Sequence, residues 1–445
     1  MYAVYSILIV LFFILTSPYL LYQAVRYRKY VTSLRQRLGY LPLSFNLDGD
    51  DSIWIHAVSV GEVLTARALL PELRERYPRL RIFLSTTTMT GQQIARNNLQ
   101  YVDEVFYFPF DLRFIVRRTL RLVRPKLFIV METEIWPNLL RACREAGVKT
   151  VLVNGRISSR SYPRYRMARS FFRVVLSHVD RFCMQSAESA RRIVEIGADP
   201  SRVVVTGSLK FDSLDIPGAP GTAADRGRNR VLRYFRVATD RPVVMAASTL
   251  KGEEEPVFEA FQRIRATRSN ALLIIAPRKP ERFDDVERIA RRAGWDVARR
   301  SELRVDAEPR NDVIVLDTIG ELAQLYQIGT VVFVGGSLVD AGGHNILEPA
   351  VFGKPIVFGP HMENFAEIAQ AFLDQGAAVQ VRNGRELEAA LLALLGDPVR
   401  RASLGAAARA LVEANRGARA KSLSAMAQLL PPENAGNVRP FRLVQ

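Results

Sequence analysis

The sequence predicts an α/β protein of two Rossmann-like, doubly wound domains facing a cleft, with an N-terminal membrane anchor helix in front of them. Three observations predict it. Short apolar runs alternate with helical patterns in two successive series, the pattern of a parallel sheet covered on both faces. A stretch rich in Pro, Gly and Asp, residues 212–229, separates the two series. The first 25 residues, "MYAVYSILIVLFFILTSPYLLYQAV", carry no charged side chain.

The anchor is justified by length and flanks. About 20 apolar residues cross a bilayer as a helix. Arg26, Arg28, Lys29, Arg35 and Arg37 follow the run and no positive charge precedes it, so the positive-inside rule leaves the rest of the chain in the cytoplasm. A cleaved leader would need a basic start and a small-residue cleavage site, and neither is evident. Ser17-Pro18 interrupts the run, so an interfacial or buried helix is the other reading.

The first domain is read over residues 26–211, with strands at "IWIHAV", "RIFLSTT", "EVFYFP", "LFIVME", "TVLVNG", "RFCMQS" and "VVVTG". Helical patterns such as "GEVLTARALLPELRERYP" and "PNLLRACREAG" lie between them. Residues 212–241 read as the linker. The second domain, 242–425, repeats the alternation with "PVVMAAS", "ALLIIAP", "VIVLD", "TVVFVGG" and "PIVFG". In such sheets ligands bind beyond the carboxyl ends of the strands, so the chemistry is expected in the loops that follow them.

Composition narrows the partners. The chain has 445 residues, 48% of them hydrophobic, enough for two sizeable cores. Its two cysteines, Cys143 and Cys183, have no metal or redox spacing and form no disulfide framework. The net charge of +17 fits nucleic acid, an anionic membrane surface or a phosphorylated substrate.

The loops of the second domain read as a nucleotide site without a P-loop. "DTIGEL" follows a strand and opens a helix, so Ile319, Gly320 and Glu321 are placed where backbone amides meet an anion. "GGHNILEP" repeats this with Gly343, Asn345 and Glu348; glycine admits close approach, Asn offers donor and acceptor, and Glu348 suits two vicinal hydroxyls. Arg278 of "PRKPERF" can clamp a carboxylate or phosphate. In the first domain, "HAVSVGEV" sets Ser59, Gly61 and Glu62 at a strand-to-helix turn, where a carboxylate can take a proton from a hydroxyl. Glu132 and Glu134 of "METEIWPN" can bind sugar hydroxyls, and one of them is expected to be structural. His56 is the alternative base, but its place in a strand favours packing. Two basic stretches, 113–126 and 155–173, carry Arg117, Arg121, Arg164 and Arg166 among aromatic and aliphatic residues, a combination suited to anionic lipid.

Together "HAVSVGEV", "STTTMTG", "METEIWPN", "NGRIS", "GSLKFD", "PRKPERF", "DTIGEL" and "VGGSLVDAGGHNILEP…GPHMENF" closely resemble the 3-deoxy-D-manno-octulosonic acid (Kdo) transferases of Gram-negative bacteria, in that family's order, from the N-terminus to about residue 415. The resemblance implies a GT-B glycosyltransferase, inverting and metal-independent, with no cofactor. It implies CMP-Kdo as donor and a lipid A precursor (lipid IVA) as acceptor, at the cytoplasmic face of the inner membrane. The first domain would then bind the acceptor, with Glu62 as general base, and the second the donor. Ser59, Gly61, Glu132, Glu134 and the four arginines would serve the acceptor, and Lys210 of "GSLKFD" would add to the donor's charge balance. The chain departs from the family pattern at Leu250 and Lys279, where His is usual, and at Ile346, where Pro is. Two other readings stay open: a nucleotide-sugar 2-epimerase of the same architecture, and a basic, membrane-associated nucleic-acid-binding protein. Against the latter, the arginines lie on discrete helices and no RNA-binding signature is present.

Overall fold

The computed structural model describes residues 2–27, 31–96, 100–214, 235, 237, 238, 240–304 and 308–432. Among these, the alternating runs form two parallel sheets of seven strands each. The first contains β1 (Ser52–His56), β2 (Arg81–Thr86), β3 (Glu104–Tyr107), β4 (Pro125–Met131), β5 (Lys149–Gly155), β6 (Arg181–Met184) and β7 (Val203–Val205). Their order is β3-β2-β1-β4-β5-β6-β7. The chain thus winds outward from β1 to β3, then crosses back to lay β4 on the other side of β1. That reversal is a topological switch point, where the loops after β1 and β4 diverge and leave room for a ligand.

The second sheet contains β8 (Val243–Thr249), β9 (Leu272–Pro277), β10 (Val297–Arg299), β11 (Val313–Val315), β12 (Val331–Val334), β13 (Ile356–Phe358) and β14 (Val379–Gln380). Its order, β10-β11-β9-β8-β12-β13-β14, has its switch point between β8 and β12. The edge strands β10 and β14 were not legible in the sequence. At three and two residues they lack the long apolar run that marks a strand buried on both faces. The run "GEVLTARALLPELRERYP" forms two helices, Val60–Arg67 and Leu70–Arg76, because Pro71 cannot continue the first and starts the second.

Alternation along each strand divides the first core between two faces. Trp54, Phe83, Phe106 and Phe128 pack on one, and Ile53, Ile55, Ile82 and Leu84 on the other. Trp54 Nε1 donates to Ser85 Oγ at 2.8 Å, so the indole is buried without an orphaned donor.

The chain divides into two compact units, Met1–Ser213 with Arg416–Gln445, and Leu214–Asn415. The second-domain boundary expected at 425 therefore moves to 415. Helix Ala418–Ala427 returns to the first unit, where Leu423 and Met426 enter its core. Asp212 accepts from the Gly417 and Arg419 amides at 2.9 and 2.7 Å, tying the start of this helix to the end of the first series. Most of the linker expected over 212–241 lies outside the described residues.

The N-terminal helix runs from Tyr2 to Tyr27, but among the described residues no helix is long and apolar enough to cross a membrane. The spanning anchor expected over residues 1–25 is thus not among the features the structure shows. One face of the helix docks on the first unit. Tyr5 donates to Asp111 at 3.0 Å, Asn138 donates to Ser6 Oγ at 3.1 Å, and Phe13 meets Phe110 at 4.4 Å between centroids. Polar groups on that face find partners that hydrocarbon would not supply. The other face leaves Val4, Ile7, Leu8, Leu11, Ile14 and Leu15 exposed.

Candidate functional site

Each unit carries a constellation at its own switch point. In the first, β1 runs into Ala57-Val58-Ser59, and Ser59 is the extended N-cap of helix Val60–Arg67. Glu62 sits in the first turn of that helix and folds back: the Val58 N–H donates to its Oε2 at 2.8 Å and Ser59 Oγ to its Oε1 at 3.1 Å. Glu62 as a residue is 8% exposed. Burial pushes its pKa up to about 7; the Val58 N–H opposes that, while the charges of Glu132 and Glu134 raise it further. A carboxyl titrating there is matched to proton transfer at neutral pH. A Cβ at Gly61 would meet only Ser59 Oγ, at 3.9 Å, so this glycine is not demanded by packing.

Two neighbouring loops complete this site. After β2, the Thr87 and Thr88 amides both donate to the Val58 carbonyl at 3.2 Å, bracing the Ser59 turn. Gly91, in the helix Met89–Arg96, lies so close that a Cβ would meet Thr88 Oγ1 at 2.8 Å. After β4, Glu132 takes a left-handed φ of 54°, unusual for a side chain of its kind, and its amide donates to Val153 O at 2.8 Å. Burial also raises the pKa of Glu134, against the opposing influence of the nearby Trp136 indole, with the Glu132 charge adding to the rise. Three carboxylates therefore share one neighbourhood at the β1/β4 switch point. His56 is not part of it as a base. It is fully buried, stacked on Phe108 at 3.7 Å, and its pKa is lowered to about 3 by burial.

The four arginines divide into two groups. Arg164 and Arg166 are exposed on helix Tyr162–Met167, whose Tyr165 is close enough to Glu134 to feel its charge. Arg117 and Arg121 lie on helix Arg113–Val123. Arg117 donates to Glu145 at 2.7 Å. Glu145 ends the nine-residue helix Pro137–Glu145, about 12 Å along its axis from the acidic loop. Arg117 thus lies beside Arg141, whose guanidinium stands 4.8 Å over the Tyr2 ring of the N-terminal helix.

In the second unit, Arg278 follows β9, and the loop after β12 carries Gly343, Asn345 and Glu348. Arg278 is exposed. Its charge reaches His344, whose pKa burial lowers to about 4, and Glu348, whose pKa burial raises against the Asn345 hydrogen bond and Arg278. Asn345 Nδ2 donates to Glu348 Oε1 at 3.1 Å, and its Oδ1 accepts from the Leu347 amide at 3.1 Å, so one side chain both bonds the first amide of the short helix Leu347–Val351 and aims its glutamate. Gly343, at φ +73°, admits no Cβ: it would meet Met362 Sδ at 2.3 Å. Its amide donates to Gly336 O at 2.7 Å and closes the loop. After β11, Ile319 and Gly320 protrude, Ile319 being 85% exposed. The Glu321 side chain is held by Arg300 Nη2 at 2.8 Å and Thr318 Oγ1 at 2.6 Å, which braces the loop whose backbone amides were expected to meet an anion.

Sequence reasoning missed Glu253. Fully buried, it accepts the amides of Leu250 (2.9 Å), Gly336 (2.7 Å), Ser337 (2.9 Å) and Leu338 (2.9 Å), joining the loops after β8 and β12 across the switch point. In the sequence it reads only as an acidic helix start, "GEEE", because three of its four amide partners lie more than eighty residues away. Glu253→Gln would set an NH₂ group against these amides. It is expected to destabilise the second unit by on the order of 2–4 kcal/mol, read as a lower urea midpoint. An unchanged midpoint would remove Glu253 from this role.

Among the described residues, Asp340, His361 and Glu363 bring three possible metal ligands within 4.8 Å of one another. The two acids are exposed and nothing further marks them as a site.

The chain matches two family models: 3-Deoxy-D-manno-octulosonic-acid transferase (kdotransferase) over residues 32–213, and Glycosyl transferases group 1 over residues 238–411. It is 34% identical over 418 residues to the 3-deoxy-D-manno-octulosonic acid transferase of Haemophilus influenzae, covering 93% of this chain and 94% of that one. It is 35% identical over 386 residues to the Bordetella pertussis protein of the same description, covering 84% and 86%. Among solved structures, the Neisseria meningitidis UDP-GlcNAc 2-epimerase bound to UDP-GlcNAc superposes with a TM-score of 0.57 at 9% identity, over 85% of this chain and all of that one. A glycosyltransferase from Rickettsia africae gives 0.54 at 12% identity, over 86% and 100%. At such identities the likeness shows a shared fold and nothing about substrate.

Proposed function

Because the chain belongs to the 3-deoxy-D-manno-octulosonic acid transferases, we propose that its first unit activates a lipid A precursor and its second holds CMP-Kdo. The chain is a Kdo glycosyltransferase of lipopolysaccharide core synthesis, with the two parallel-sheet domains typical of GT-B enzymes. The observation that carries the finer reading is Glu62, buried beside two further carboxylates with its pKa brought to about 7.

In this mechanism the ionised Glu62 takes the proton of an acceptor hydroxyl as its oxygen bonds to the anomeric carbon of Kdo. The bond from that carbon to the phosphate oxygen breaks, and CMP leaves with the electron pair. Attack on the face opposite the leaving group inverts the configuration. Arg278 meets the charge growing on the phosphate, so no metal is required. Glu348 and Asn345 hold the nucleotide's ribose hydroxyls, and Ile319-Gly320 borders it. Ser59 and Gly61 shape the approach to Glu62, and Glu132 and Glu134 receive acceptor hydroxyls.

The reaction belongs at the cytoplasmic face of the inner membrane in this reading. The exposed apolar face of the N-terminal helix, with Arg117, Arg121, Arg164 and Arg166, faces anionic lipid and the acceptor's phosphates. Charge reversal at Arg164 and Arg166 together is expected to raise the acceptor's apparent KM about tenfold or more, given roughly 1 kcal/mol per basic residue near such a surface, with the donor's KM little changed. An equal change in both would assign these arginines elsewhere.

The purified chain, given CMP-Kdo and lipid IVA, should yield a lipid heavier by one or more Kdo units and an equal amount of CMP by mass spectrometry. CMP release without a lipid product would sink the acceptor assignment. A rearranged nucleotide sugar would favour an epimerase.

A further inference from the structure

The acidic loop after β4 is short, and both its ends are pinned. At one end the Glu132 amide is bonded to β5. At the other, Trp136 is the extended N-cap of helix Pro137–Glu145, so the start of that helix sets where Glu134 can lie. The first amides of a helix have no intrahelical partners. Here Asp111, from the loop after β3, supplies them: its carboxylate accepts from the Asn138 amide at 3.0 Å and the Leu139 amide at 2.7 Å. Asp111 and Asn138 are 3% and 4% exposed.

The same two residues are the docking points of the N-terminal helix. Tyr5 donates to Asp111 Oδ2 at 3.0 Å. Asn138 Nδ2 donates both to Asp111 O at 2.6 Å and to Ser6 Oγ at 3.1 Å. Two consecutive residues of the N-terminal helix therefore complete the hydrogen bonding of the cap that ends the acidic loop. A segment serving only to tether the protein has no need of buried polar contacts more than a hundred residues away along the chain.

We propose that the first two turns of the N-terminal helix are a positioning element of the acceptor site: Tyr5 and Ser6 hold Asp111 and Asn138, and through them the loop bearing Glu132 and Glu134 beside Glu62. Seating of the helix and readiness of the acceptor loop are then one coupled state. The helix acts on the reaction through the loop, not by touching substrate. The inference rests on the acceptor role given above to that loop.

The test uses the full chain with Tyr5→Phe and with Tyr5→Phe/Ser6→Ala, which remove hydroxyls and keep the apolar bulk; Ser6→Ala alone replaces the double variant should that fail to fold. Amide exchange over residues 131–140 is expected to quicken about five- to tenfold per lost hydrogen bond. Acceptor KM should rise by a similar factor. CMP affinity, and sedimentation with phosphatidylethanolamine–phosphatidylglycerol vesicles, should stay at wild type. Unchanged exchange over 131–140 overturns the coupling, whatever the activity. Faster exchange with unchanged acceptor KM overturns the link to the acceptor. Absence of Kdo transfer by the wild-type protein would instead sink the functional reading, and the exchange data would still decide the coupling.

Discussion

Glu62→Gln is expected to lower kcat at least about a hundredfold, within the range that a positioned general base contributes, while CMP affinity stays at wild type. Glutamine keeps the size of the side chain and an oxygen for the Val58 amide, but takes no proton at neutral pH. The pH dependence separates this from a structural effect. Only ionised Glu62 can act as base, so kcat/KM of the wild type should climb as pH rises through about 7 and then level, whereas the variant lacks that limb. Stability runs the other way. A folded pKa of about 7 against the ordinary 4.5 means that the folded state binds the proton more tightly, so the stabilisation is full below pH 4.5 and lost as pH rises through 7. The loss is on the order of 3 kcal/mol at most for a shift of this size. The variant should therefore melt at or above the wild-type temperature at pH 8, and its advantage should vanish near pH 4. A fall in kcat of less than fivefold would exclude Glu62 as base, and Glu132 or Glu134 would be tested next.

Glu348→Gln is expected to weaken CMP binding by an order of magnitude or more. Two charge-assisted hydrogen bonds to ribose hydroxyls are at stake, at roughly 1.5–3 kcal/mol each. Asn345 aims Glu348, and burial raises its pKa against the Asn345 hydrogen bond and the Arg278 charge. CMP affinity should consequently fall as the solution is acidified and Glu348 takes up a proton, a dependence the glutamine variant loses. Calorimetry showing unchanged affinity would remove Glu348 from the nucleotide site.

The residues of both sites were legible because they are local. A β-rich run followed by "VSVGEV" places Glu62 just past a strand by spacing alone, and the structure puts it in the first turn of the next helix; Glu348 lies in the helix Leu347–Val351 that the "GGHNILEP" loop opens. Helix Arg113–Val123 was legible for the same reason, its apolar positions recurring at the helical period before Pro125 stops it. The ion pair of the Glu321 side chain was not legible, because its partner Arg300 lies twenty-one residues earlier. Glu253 stayed hidden because three of the four amides that define it come from a loop more than eighty residues away.

By itself the sequence determined that this protein is two parallel α/β series with polar loops at strand ends, since strand, helix and turn preferences act over a few neighbouring residues. Only the tertiary structure decided what those loops are to one another. Burial lifts the pKa of Glu62 to about 7, and the reversal of winding at β1 adds to the rise by bringing Glu132 and Glu134 beside it. The chain after Asn415 returns to complete the first core. The N-terminal helix, read from its composition as an anchor, has Tyr5 and Ser6 turned onto Asp111 and Asn138. Burial and electrostatic coupling depend on which segments meet, and segments that meet across a hundred residues leave no mark in the spacing of either one.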